Sequence, residues 1–264
     1  MENDMKRSDV TIVNFGDSIF GYDNVGGGPL ISDYISGLTG ATVYNAGFGG
    51  CRMSSHHHDN WTPFSMFSLA NAVTSGDFSI QERALRGELR KDGDPSLPTY
   101  FPERIEALRA VKWSEVDIAT ISFGTNDFTA NNRRIYNDGD RYDTDTYAGA
   151  LRYSIEKLRS AFPHIKLYII SPTYRFFIDR ENGFRYIDDS DTHVNKRDNT
   201  LLDFVKATAD IAAEYGLPYI DNYYGPGISR ENRYDYFYET DGTHHKAEGK
   251  LLIAEHIVKC IFGA

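Results

Sequence analysis

Ser18, Asn126 and the pair Asp241 and His244 lie far apart in the chain, yet each sits in a short polar run whose residue types suit acyl transfer. Ser18 ends Gly-Asp-Ser, directly after a β-branched run, so its hydroxyl is expected at a strand end, where a following helix N-terminus favours developing negative charge. His244 is the candidate general base, able to take the serine proton and return it to a leaving alcohol. Asp241 precedes it by three residues in Asp-Gly-Thr-His, close enough for one turn to bring carboxylate to imidazole and orient the ring. His245 is a neighbour with the same chemistry, but the Asp-x-x-His spacing favours His244 and leaves His245 to open the last helix. Asn45-Ala-Gly-Phe-Gly-Gly50 offers backbone N–H groups unobstructed by Cβ atoms, and Gly124-Thr-Asn-Asp127 offers the Asn126 amide. The N–H groups of Ser18 and Gly50 with the Asn126 side chain would make an oxyanion hole, with Gly47 and Gly49 as the loop's other candidates for the glycine donor.

The elements that must position these residues alternate in type. Val10–Phe15, Ala41–Asn45, Val116–Ser122, Lys166–Ser171 and Leu217–Asp221 read as short buried strands. Helical spacing recurs over 29–38, 102–111, 147–162, 201–215 and 251–258. Five strands alternating with helices predict a parallel sheet covered on both faces, with its chemistry gathered at the carboxyl ends of the strands. Two segments break the rhythm and read as insertions in one domain over 1–264. Residues 51–100 are rich in Ser, His, Asn, Gly and Pro, with a helix compatible with Ser79 to Arg90; residues 174–191 mix aromatics with charges. Loops of such length are usually functional or carry structure of their own.

In that order, Gly-Asp-Ser at 16–18, Asn-x-Gly-x-x-Gly ending at Gly50, Gly-Thr-Asn-Asp at 124–127 and Asp-x-x-His at 241–244 resemble the four blocks of the SGNH hydrolases, or GDSL esterases/lipases. The resemblance spans almost the whole chain. It implies a flavodoxin-like three-layer α/β/α sandwich with strand order 2-1-3-4-5, and ester hydrolysis through an acyl-serine intermediate without metal or cofactor. Family members act on lipids, acetylated sugars and other small esters, and acyl transfer to another hydroxyl, lipase or thioesterase action on other acyl esters, or sugar binding without catalysis, stay open as alternatives. The long segment after Gly50 departs from compact members, so substrate access does not carry over.

Other signals have plainer readings. Asp17 and Asp127 are expected to brace their loops. Gly47-Phe-Gly-Gly-Cys-Arg52 lacks the third glycine of a dinucleotide loop, and no phosphate-binding Gly-Lys-Ser/Thr occurs. His56, His57 and His58 invite a metal, but consecutive residues converge poorly on one ion, and a solvated loop is the default. Cys51 reads as a free buried thiol behind the glycine loop. The aromatic run Tyr223, Tyr224, Tyr234, Tyr236, Phe237 and Tyr238 leads into Asp241 and suits either a sugar platform or ordinary packing; a carbohydrate O-acetyl ester as substrate rests mainly on it.

Composition sets outer bounds. The 264 residues are 41% hydrophobic, enough for one sizeable core. Thirty-eight acidic against 28 basic residues give a net charge of -10 with no basic block, which disfavours nucleic acid. Two distant cysteines make no disulfide framework, and no apolar run is long enough to span a bilayer. The leading Met-Glu-Asn-Asp-Met-Lys-Arg lacks the apolar run of a signal peptide, so the chain as written reads as cytoplasmic, or as secreted if a leader was removed.

Overall fold

The computed structural model describes residues 6–21, 28–130 and 134–263; most of the N-terminal run considered above for targeting lies outside them. In chain order, β1 (Thr11–Gly16) leads into the single turn α1 (Ser18–Gly21), followed by α2 (Ile31–Thr39) and β2 (Thr42–Gly47). Residues 51–100 contain α3 (Met66–Ser75) and α4 (Ser79–Leu85), and α5 (Phe101–Arg109) leads to β3 (Ile118–Ser122). Next come α6 (Thr125–Thr129), α7 (Tyr147–Ala161), β4 (Lys166–Ile170), β5 (Phe176–Asp179) and β6 (Arg185–Asp189). The chain closes with α8 (Leu201–Glu214), β7 (Tyr219–Ile220), α9 (Arg233–Tyr236) and α10 (Ala247–Phe262).

Five strands form one parallel sheet in the order β2-β1-β3-β4-β7, which is the 2-1-3-4-5 order expected above. Helices surround it, α2 packing with α10, α3 with α7, and α7 with α8. Central strands need apolar side chains on both faces, and β1 and β3 supply them: Ile12, Val13, Phe15, Ala119 and Ile121 are fully buried. The polar exception on β1, Asn14, is satisfied within the core, donating to Ser32 Oγ (3.0 Å) and accepting from Thr120 Oγ1 (2.8 Å). Helix ends follow local chemistry. Asp33 accepts the Leu30 N–H at the start of α2, which ends on Gly40 at φ 73°, and Asp203 accepts the Thr200 N–H at the start of α8.

The two irregular segments carry more order than their composition suggests. Within 51–100, α3 buries Met66, Leu69, Ala70, Ala72 and Val73; its interspersed Ser, Asn and Thr residues hide the apolar stripe from a sequence reading. Within 174–191, β5 and β6 form an antiparallel hairpin with an irregularity at Phe177/Ile178, separate from the main sheet. Helix α10 opens at Ala247, so His245 stands just before it and not at its first residue. His245 is buried and its ring lies 4.1 Å from that of Phe237, so it packs instead of starting the helix. Among the described residues no helix is long and apolar enough to cross a membrane.

Register brings the strand ends level. Gly16 at the end of β1 stands opposite Gly47 on β2 and Ser122 on β3. There α1 meets the end of β2 so closely that a Cβ on Gly47 would stand 2.5 Å from the Gly21 Cα. Gly47→Ala is therefore expected to lower stability by about 1–3 kcal/mol, the usual range for overpacking a filled site. Urea unfolding reads this directly, and an unchanged midpoint would show that α1 and β2 are not held in contact.

Candidate active site

Ser18 opens α1, immediately beyond β1. The Asp17 carboxylate accepts the Ile19 N–H (2.9 Å), and the Asp17 carbonyl accepts the N–H groups of Phe20 and Gly21. The turn is thus built around Asp17, while the N–H of Ser18, as the first in the helix, has no carbonyl partner within it. Asp17 is buried; desolvation pushes its carboxyl up to about 7, against the lowering effects of the Ile19 N–H and of His244.

His244 arrives from the other end of the chain, with Nε2 2.9 Å from Ser18 Oγ. Its Nδ1 is hydrogen-bonded to Asp241 Oδ2. Burial opposes ionisation of Asp241, but hydrogen bonds and charge from His244, together with the Arg180 guanidinium 3.5 Å from Oδ1, outweigh it and hold this carboxyl below the ordinary range. The segment bearing both residues turns at Tyr238, whose carbonyl accepts the N–H groups of Asp241 and Gly242. It is pinned from outside by the β5–β6 hairpin. Phe176 donates its N–H to the Gly242 carbonyl (2.9 Å), and a Cβ on Gly242 would stand 2.4 Å from the Phe176 carbonyl oxygen. The hairpin's base reaches α6 as well, since Arg175 Nη1 donates to the hydroxyls of Thr125 and Thr129 (3.0 Å each). Burial draws the Arg175 guanidinium down to about 10, with Asp241 and Asp17 pulling the other way.

The glycine loop follows β2. Phe48 donates to the Gly16 carbonyl (2.9 Å), and Cys51 donates to the Phe48 carbonyl (3.1 Å), closing a turn over 48–51 with Gly50 at φ 75°. Cys51 is a free, buried thiol. Its carbonyl accepts one hydrogen of the Asn126 amide (2.8 Å), which sets the orientation of that side chain and leaves the second hydrogen outside this contact. Asp127, next along α6, accepts the N–H groups of Met53 and Ser54 and the Ser54 hydroxyl at 2.6–3.0 Å. Asp17 and Asp127 thus act as loop braces. Burial raises Asp127 too, despite these three donors.

A cavity of about 470 Å³ opens over these groups, lined by Ser18, Gly49, Gly50, Asn126 and His244, and by Trp61, Ser96, Pro98, Thr99 and Tyr100 from the 51–100 segment. Ser18, Gly50, Asn126 and His244 meet there, with Asp241 behind His244. The arrangement offers a hydroxyl, an imidazole, a carboxylate and polarised N–H donors around one space, the parts that ester cleavage requires.

Trp61 and Tyr100 were not legible as site residues. They stand in a segment whose path across the sheet end depends on Phe48, Phe64 and Phe101, whose rings pack at 4.7–5.5 Å. The aromatic run before Asp241 is placed elsewhere. Phe237 is buried against Tyr174, Phe176 and His245, Tyr223 is buried with its hydroxyl 2.7 Å from Ser190, and none of the six residues lines the cavity. Packing thus accounts for Tyr223 and Phe237, while Tyr224 and Tyr234 are exposed away from the cavity lining. His56, His57 and His58 have ring nitrogens within 4.8 Å of one another beside Trp61. However, His56 Nδ1 accepts the His58 N–H and His57 Nδ1 faces Arg52 Nη2 at 3.1 Å. A neutral imidazole using Nδ1 as acceptor carries its proton on Nε2, so two of the three rings have no lone pair for an ion in this arrangement. His58 Nδ1 pairs with Asp94 at 2.6 Å.

Against known proteins, the profile of the GDSL-like Lipase/Acylhydrolase family matches residues 15–252. A search of the curated proteins finds no match. Among solved structures, one from Chitinophaga pinensis described as a possible lipase is similar at 18% identity and TM-score 0.57, over 95% of this chain and 96% of that one. A carbohydrate acetylesterase from Sinorhizobium meliloti is similar at 13% identity and TM-score 0.55, over 96% and 98%. A salicylyl-acyltransferase from a tetracycline biosynthetic pathway is similar at 14% identity and TM-score 0.51, over 97% of this chain and 54% of that one. At these identities the likeness is one of fold.

The upward shift of Asp17 has a consequence for stability. Its folded-state pKa lies above the unfolded value, so between about pH 4 and pH 7 the native state binds more protons, and this group's contribution to stability falls as pH rises. Asp17→Asn keeps an acceptor for the Ile19 N–H and removes the titration. Its stability relative to the parent is expected to rise from pH 4.5 to pH 7.5 in denaturant titrations; a difference independent of pH would show that Asp17 is not the group titrating.

Proposed function

Because the chain belongs to the GDSL-like lipase/acylhydrolase family, we propose that it is a serine esterase working through an acyl-serine intermediate. The observation that carries this reading is the 2.9 Å contact between Ser18 Oγ and His244 Nε2, backed by Asp241 on the far side of the ring. His244 removes the Ser18 proton as Oγ attacks the ester carbonyl, and Asp241 keeps the imidazole in the tautomer that accepts at Nε2 and stabilises the imidazolium formed. The carbonyl oxygen, now negative, is met by the N–H groups of Ser18 and Gly50 and by the Asn126 amide, which Cys51 already holds in place. Collapse of the tetrahedral species expels the alcohol, protonated by His244. Water then repeats the sequence on the acyl-serine and releases the acid.

The cavity informs the substrate. Ser96 and Thr99 beside Trp61 and Tyr100 give a wall that is partly polar and partly aromatic, suited to a compact ester whose alcohol part carries hydroxyl groups. An O-acetylated carbohydrate meets that description, with Trp61 and Tyr100 in place of the aromatic run, none of whose residues lines the cavity.

The test is steady-state hydrolysis of 4-nitrophenyl acetate and of acetylated sugars. Ser18→Ala is expected to lose several orders of magnitude in kcat with an unchanged thermal transition. Asn126→Ala is expected to lose about 2.7–4 kcal/mol of transition-state stabilisation, as for other oxyanion donors. Full kcat in either variant would remove that residue from the mechanism, and much faster turnover of long-chain acyl esters would overturn the substrate reading. Acyl product appearing on an added alcohol in place of free acid would make the protein a transferase.

A further inference from the structure

Tyr100 is not one of the three oxyanion donors just described, yet its hydroxyl meets the loop that supplies one of them. The Gly49 N–H donates to Tyr100 Oη at 2.7 Å, and a Cβ on Gly49 would stand 2.8 Å from that oxygen and 3.5 Å from Ser18 Cβ. The phenol and the nucleophile therefore flank the same residue. Two adjacent glycine amides compete for the role of oxyanion donor, and one of them is already spent on Tyr100.

The turn geometry makes this partition consequential. Phe48 to Cys51 closes with a Cys51 N–H to Phe48 C=O bond, and φ of 75° at Gly50 suits the second central position of a type II turn. In such a turn the central peptide, here the one carrying the Gly50 N–H, has two orientations related by a flip, corresponding to types II and I. Only one of the two directs that N–H toward a given point. The peptide before it is held by Tyr100 Oη, and the Gly50 α-carbon is backed by Trp61, whose Cζ3 would be 2.8 Å from a Cβ there. The phenol is itself anchored. Phe101 packs edge-on to it at 5.1 Å, and Arg104, one turn further along, lies 5.7 Å over the ring while donating to the carbonyls of Asn45 and Gly21. Residues 100 and 104 thus grip both the glycine loop and the end of α1 from one side.

We infer that Tyr100 is a positioning residue: by occupying the Gly49 N–H it holds the 48–51 turn in the form that assigns oxyanion binding to Gly50. This inference rests on the ester-hydrolase reading and adds to it a role for the 51–100 segment beyond lining the cavity. A residue acting through a backbone orientation affects the transition state, in which the oxyanion exists, and leaves ground-state binding almost untouched.

Tyr100→Phe removes the acceptor and keeps the ring. With 4-nitrophenyl acetate as substrate, kcat is expected to fall between roughly 10-fold and 100-fold, the scale of a misaligned catalytic group, with KM within about twofold of the parent. Inhibition by a phenylboronic acid, which forms a tetrahedral adduct on the serine, should weaken by a similar factor, and the Gly49 amide should exchange with solvent faster. An unchanged kcat would overturn the inference, as would a rise in kcat, which would make the hydroxyl a plug, or a rise in KM alone, which would make it a substrate contact. Ser18→Ala measured alongside separates the two levels. If that variant keeps its activity the esterase reading falls, whereas an inactive Ser18→Ala beside a fully active Tyr100→Phe sinks only the role of Tyr100.

Discussion

The contact between Ser18 Oγ and His244 Nε2 joins positions 226 residues apart, and nearly every feature around it bears on keeping that separation closed. Loop-closure cost grows only slowly with chain length, so the span itself is a lesser difficulty than the accuracy required at its ends. One end is set by the register of β1 between β2 and β3, which aligns Gly16, Gly47 and Ser122. The other is set by the Tyr238 turn and by the β5–β6 hairpin hooked onto Gly242. Neither end is positioned by the other, and the hydrogen bond is the outcome of two independently supported loops arriving at the same place.

The loops beneath the cavity are held by groups that are costly to bury. Asp17 and Asp127 sit within the fold and are pushed toward protonation by it, yet Asp17 answers the Ile19 N–H and Asp127 those of Met53 and Ser54, which would otherwise be orphaned in a dry interior. A carboxylate accepts several donors at once, which suits it to gather a turn. The same economy recurs where Cys51 offers its carbonyl to Asn126, and where Arg104 spans the carbonyls of Asn45 and Gly21. The cavity floor is therefore a network of side chain to backbone bonds laid over the strand ends, and little of it depends on apolar burial alone.

Much of this was readable from the chain itself because the relevant signals are local. A β-branched run followed by Gly-Asp-Ser, or Asp-x-x-His before an apolar helix, carries its meaning within a few residues, and Ser18, Gly50, Asn126, Asp241 and His244 are all brought to one place. The alternation of strands and helices was legible for the same reason, whereas the strand order followed only from the family resemblance that those motifs carry. Features that depend on long-range packing were not. Trp61 and Tyr100 reach the cavity only because Phe48, Phe64 and Phe101 pack together, and no spacing rule announces that. The polar residues of α3 masked its buried face, and the charges of 174–191 masked a hairpin. Phe237 and His245 are instructive in the opposite sense: closeness in sequence to His244 left a role with substrate or helix open, whereas Phe237 packs against Tyr174 and Phe176, and His245 packs against Phe237.

The central claim is that Ser18 carries the acyl group. Its most direct measurement is mass spectrometry of the protein acid-quenched during turnover of 4-nitrophenyl acetate, followed by peptide mapping. The account predicts one added acetyl group, on the peptide containing Ser18, appearing within a single turnover and disappearing once substrate is exhausted. Steady turnover with no adduct at any quench time, or an adduct carried by another residue while Ser18 stays unmodified, would contradict it.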